Sequence, residues 1–169
     1  MDENINSEKD LKDKVIFYTK ANKGKIIILF FFFFLSLLSY FFYKSYNEKK
    51  NNLVSEKYIQ AGIYLSEEKK DLSKKILEEI VLSKNEFYSI LALNTILDKN
   101  IVTDKKKILE YFNVVENLNI SKDQKDLIFF KKALYLMDNS EIEKGKKILE
   151  KIIEKNSKYK VLASEVLDN

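Results

Sequence analysis

Apolar residues follow two different rules along this chain. From Ile26 to Tyr43 they run without interruption by charge, eighteen residues broken only by Ser36 and Ser39. From about Asn52 onward they recur at three- and four-residue spacing between lysines and acids, and no stretch alternates as a strand does. The first pattern predicts a membrane-spanning helix over 26–43, about 27 Å long at 1.5 Å per residue. Lys23, Lys25 and Lys44 flank it, and Tyr40, Tyr43 and Tyr46 stand where an interfacial aromatic belt belongs. The segment follows a long leader (1–25) and is not followed by a small-x-small cleavage site, so it reads as an uncleaved anchor in contact with the lipid bilayer. Five lysines precede the span within fifteen residues and four follow it, a balance that does not orient the helix by charge.

The second pattern predicts an all-α domain over 53–169, reached through a juxtamembrane linker at 44–52. Polar breaks fall at 66–71, 83–85, 98–104, 117–121, 138–140 and 156–157. Ser121-Lys-Asp-Gln124 and Ser140-Glu-Ile-Glu143 both read as capping boxes that start helices.

Within this domain the word KKILE occurs three times, at Lys74–Glu78, Lys106–Glu110 and Lys146–Glu150. Each copy falls in the second helix of an expected helix-turn-helix pair. Its Ile and Leu are expected to face the neighbouring helix, and its first Lys and its Glu to pair four residues apart in water. Small residues occur at matched places nearby: Ala61 before Ser73, Ala133 before Gly145, and Ala92 in a middle unit whose turn is one residue longer. Small side chains there let two helices approach closely. A second word, Lys84-Asn85-x-x-Tyr88-x-x-Leu91-Ala92, recurs as Lys155-Asn156-x-x-Tyr159-x-x-Leu162-Ala163. The offset is two periods of about 35 residues, close to the tetratricopeptide unit. The expected architecture is a tetratricopeptide-like solenoid of about three and a half units: 53–83, 85–117, 121–155 and a last helix at 157–168, the half-unit that covers the end of a stack.

Composition removes several functions. The chain has no His, Cys, Pro or Trp, and all 30 cationic side chains are lysines. Without His or Cys there is no Ser-His-Asp or Cys-His arrangement, no Cys/His zinc site and no haem ligation by the usual groups. Acids are scattered singly among lysines, and Gly24, Gly62 and Gly145 lie too far apart to form a phosphate loop. The expectation is a protein that is not an enzyme, with no cofactor, no metal and no small-molecule substrate. The net charge of +4 is spread out and contains no arginine, which argues against nucleic acid as a partner.

The order of parts resembles a known family. A leader ending in a Lys/Gly-rich turn, one anchor, then degenerate hairpins with a Tyr-x-x-Leu-Ala signature is similar to the YfgM-like ancillary subunit of the bacterial Sec translocon. Phe17, Asn22, Gly24 and Lys25 match the family's amphipathic segment before its anchor. The resemblance implies an inner-membrane protein with a cytoplasmic amino end and periplasmic repeats. It further implies association with the SecYEG channel and the periplasmic folding factor PpiD, passing exported proteins to chaperones. The alternative is a structural scaffold of another envelope complex, for cell division or outer-membrane assembly. In repeats of this kind the first helices line the concave side, which here nominates Tyr58, Leu65, Leu93, Ile96, Phe130, Leu134 and Met137 for partner binding, with Gly62 and Ser89 on the same faces.

Overall fold

The computed structural model describes residues 12, 14 and 16–168, and every regular element among them is helical. Contacts divide the chain into two units, Met1–Lys50 and Asn51–Asn169. In the first unit, residues 16–21 are helical, Asn22 forms a turn, and helix α1 (Lys23–Ser66) begins. The apolar stretch of α1 has a mean hydropathy of 2.4, none of it is buried, and it is long and apolar enough to cross a membrane. Phe30 to Phe34 each present about three-fifths of their surface. Residues 44–52, expected as a linker, are helical within α1.

The second unit contains the end of α1 and then α2 (Lys70–Leu82), α3 (Tyr88–Asp98), α4 (Lys105–Glu116), α5 (Lys122–Asp138), α6 (Ile142–Glu154) and α7 (Lys160–Asp168). Turns of three to six residues join them. From α2 onward each helix packs on the next, and α2 also packs on α4. The polar breaks read from sequence coincide with these turns. The three KKILE copies lie in α2, α4 and α6, the second helix of each successive pair.

One residue type sets the packing register. Ala61, Ala92, Ala133 and Ala163 are each fully buried. Sixteen residues after the first three come Leu77, Ile108 and Leu149, at most 1% exposed. The buried face is therefore in step with the alanines and not with the KKILE word. In the middle copy Ile108 is buried and Leu109 only half-buried, the reverse of the outer copies. One more residue separates Ala92 from its KKILE copy than separates Ala61 and Ala133 from theirs, and one place is about 100° around a helix. Contrary to the expectation, KKILE does not present one constant face.

The expected pairs within KKILE are also not formed among the described residues. Glu78 instead faces Lys107 of the next copy at 3.6 Å, and Lys57 of α1 pairs with Glu79 of α2. Lysine and glutamate are long enough to reach the adjacent helix, so tertiary register decides the partner.

Helix ends explain one correct and one incorrect cap. Ser121 and Gln124 form the reciprocal capping box at the start of α5. Ser140 does not cap α6. Its φ is 65°, and it is the left-handed residue that closes α5, with the Glu141 amide bonding back to the Leu136 carbonyl at 2.9 Å. Glu68, Asn100 and Asn156 occupy the same place after α1, α3 and α6, each with positive φ and followed by an equivalent backbone bond. Glycine, the usual residue at this position, is used at none of them.

The core consists of two apolar groups. The larger is centred on Phe112, Leu77, Ile80, Ile96 and Ile108 and reaches from Val54 to Ile128. The smaller joins Ala133, Leu149, Ile152 and Ala163, with Phe130 and Tyr159 stacked beside them at a ring separation of 6.2 Å. Gly145 permits the close approach of α6 to α5 in this second group. A Cβ there would fall 2.7 Å from the Ala133 carbonyl and against Met137.

Candidate partner-binding groove

Successive first helices are tied by single polar bridges at a constant spacing. The Tyr58 hydroxyl bonds the Thr95 hydroxyl at 2.9 Å, linking α1 to α3, and the Lys131 ammonium donates to Asn94 Oδ1 at 2.7 Å, linking α3 to α5. Both partners lie 37 residues apart. Helices α3 and α5 are not among the closely packed pairs, so a groove opens between them.

The Asn94–Lys131 bridge divides this groove into two parts. One end, of about 140 Å³, is walled by Phe87 just before α3, by Ile90 and Leu91 from α3 and by Leu127 and Ile128 from α5. The other end, of about 570 Å³, holds Leu97 and Asp98 from α3, Asn100 and Thr103 from the following loop, and Leu134, Tyr135 and Asp138 from α5. The starts of both helices line the first end and their ends line the second. The two helices thus run side by side in the same direction.

The electrostatics of the two ends differ. At the wide end two helix carboxy termini converge, each with partial negative charge, and each carries an aspartate in its last place. Of the cations nearby, Lys131 is held by Asn94, and Lys105 is engaged by the Asn139 carbonyl at 2.8 Å and the Glu141 carboxylate at 2.5 Å. Burial, reinforced by the negative charge of Asp104, raises the pKa of Tyr135, which keeps its hydroxyl a neutral donor and acceptor at physiological pH. Tyr111 behind this wall is held up more strongly, by burial and then by the Glu78 carboxylate. At the narrow end the walls are apolar, and Phe87 is 60% exposed.

The residues nominated from sequence separate on this geometry. Leu134 lines the wide end. Leu93 and Ile96 are core residues, 3% and 0% exposed, and present nothing to solution, nor does the fully buried Ser89. Tyr58 is half-buried, bonded to Thr95 and packed on the Tyr88 ring at 5.9 Å. Phe130 stacks on Tyr159, and Met137 fills the space over Gly145. Leu65 is half-buried and Gly62 exposed near the end of α1.

Comparison with protein-family models, curated proteins and solved structures finds no match.

The groove residues missed by sequence reading include Ile90, Asn94 and Leu97 of α3. Each lies one place after a nominated one. The signal that would have found them is the run Ser89, Ala92, Leu93, Ile96, which completes the buried stripe of α3 by itself and leaves the next face free. Among the described residues no group of three or more acids is arranged to hold a metal ion.

Proposed function

We propose that this protein is a non-enzymatic, membrane-anchored module for protein–protein interaction, built as a tetratricopeptide-like array. The observation that carries this reading is the open groove between the parallel first helices α3 and α5, walled by apolar side chains at one end and acids at the other. First helices bridged at a constant 37-residue spacing, with α3 and α5 parallel and α4 packed on both, support the repeat reading. The exposed phenylalanine-rich stretch of α1 supports a single membrane anchor.

By its resemblance to the YfgM-like family, the module serves as an ancillary subunit of the SecYEG translocon in a bacterial inner membrane. Its repeats then lie in the periplasm, beside PpiD, and hand exported proteins to chaperones. A reporter fused after Asp168 tests the topology: a cytoplasmic signal removes the translocon reading. Site-specific cross-linking from the groove, followed by purification in mild detergent, tests the partner. Recovery of channel subunits is the expected result. Enrichment at the division site without channel subunits would instead favour a scaffold of another envelope complex.

A further inference from the structure

The two ends of the groove differ in chemistry, and that difference specifies an occupant. At the wide end, the carboxylates of Asp98 and Asp138 stand at two helix carboxy termini and form no ion pair among the described residues. The lining of this end holds one lysine, Lys131, which keeps its charge while bonded to Asn94, so two carboxylates are set against one ammonium. Such a site attracts a cation and repels an acid, and the partial charges of both helix ends add to the effect. At the narrow end, Phe87, Leu91 and Leu127 enclose a space suited to one bulky apolar side chain. Asn94 at the seam, and Asn100 and the Tyr135 hydroxyl at the wide end, offer polar groups, which suits a main chain whose own amides are unpaired.

The distance between the two ends is set by the helix. Phe87 to Asp98 spans eleven residues, or about 16 Å at 1.5 Å per residue. An extended chain rising about 3.3 Å per residue covers that distance in about five residues.

We propose that the groove between α3 and α5 receives an extended protein segment carrying a cationic side chain about five residues from a bulky apolar one. The cation sits between Asp98 and Asp138, and the apolar side chain enters the space beside Phe87. This assignment rests on the interaction-module reading and gives that module a partner chemistry.

The test uses the full chain in detergent micelles and fluorescein-labelled decapeptides of Ser and Thr that carry two variable positions five residues apart. The Arg/Phe peptide is expected to bind, with Glu/Phe and Arg/Ser peptides at least tenfold weaker in fluorescence anisotropy. The double variant D98N/D138N should erase the preference for Arg over Glu, and Phe87→Ser the preference for Phe over Ser. Both sets of residues are at the surface, so circular dichroism should remain that of the wild type. Equal binding of the Arg and Glu peptides, or binding unchanged in D98N/D138N, overturns the charge assignment while leaving an interaction module standing. Self-association by sedimentation that D98N/D138N abolishes also overturns it, because a second lysine-rich copy is then the occupant. Absence of any peptide binding, combined with absence of cross-linked neighbours from the groove, removes both readings.

Discussion

Gly145 meets Ala133 across α5 and α6 so closely that a methyl group on Gly145 would lie 2.7 Å from the Ala133 carbonyl oxygen. The same methyl would press on the Met137 side chain, which can move, whereas the carbonyl is main chain and cannot move without separating the helices. Gly145→Ala is therefore expected to destabilise the domain by about 1–3 kcal/mol despite the better helix propensity of alanine. Urea unfolding followed by circular dichroism measures this. Adding Met137→Ala should recover little, since the main-chain contact persists. Full recovery would show that the side chain alone sets the distance.

The left-handed residues that close the helices point the other way. Ser140 and Lys84 have φ of 65° and 57° and carry a Cβ that this conformation disfavours. Ser140→Gly and Lys84→Gly are each expected to raise stability by about 0.5–1 kcal/mol, a measurable increase in melting temperature. Asn100→Gly should gain less, because asparagine tolerates this region. A loss of stability in Ser140→Gly would mean that the Ser140 side chain contributes to the turn.

Leu93 and Leu134 sit on first helices of consecutive pairs but differ in burial, and substitution should separate their roles. Leu93→Ala is expected to cost about 2–4 kcal/mol, as for any buried leucine, and to affect binding only through unfolding. Leu134→Ala should cost about 1 kcal/mol and weaken a partner that occupies the wide end of the groove. Paired measurements of unfolding and peptide anisotropy distinguish them. Equal stability losses would place Leu134 in the core.

Glu141 is held below its ordinary pKa of 4.5 by Lys105 first and then by Lys144. A carboxylate with a depressed folded-state pKa stabilises fully above its unfolded value, and the contribution disappears as pH falls through the folded-state value. The wild type should therefore exceed Glu141→Gln in stability at neutral pH, and the two should converge as pH is lowered below 4.5. The difference should also shrink in high salt, because the Lys144 partner is well exposed. A gap that persists in acid would assign the effect to packing instead of charge.

Much of the architecture could be read from the chain because the polar breaks are dense and the helices strongly amphipathic. The Ser121–Gln124 box was legible since all its contacts are local. Ser140 carries the same signature, but α5 ends three residues before α6 begins, and the close of one helix took precedence over the cap of the next. The rotation of the middle KKILE copy reflects one added residue between Ala92 and the word, whose effect appears only once Ala92 and Ile108 are both seen to be buried. The candidate surface suffered the same kind of error. Ser89, Leu93 and Ile96 are the expected binding positions of α3 and are buried, whereas Ile90, Asn94 and Leu97, each one residue and so about 100° further round the helix, line the groove. The Glu78–Lys107 and Asn94–Lys131 pairs were beyond sequence reading, since each needs two helices brought into register.

The bond between Asn94 and Lys131 closes the seam of the groove, and it is a single bond between flexible side chains. A visiting segment that displaces it gives up about 1 kcal/mol and disturbs no packed interior. Opening this seam therefore adds little to the barrier that an incoming segment meets.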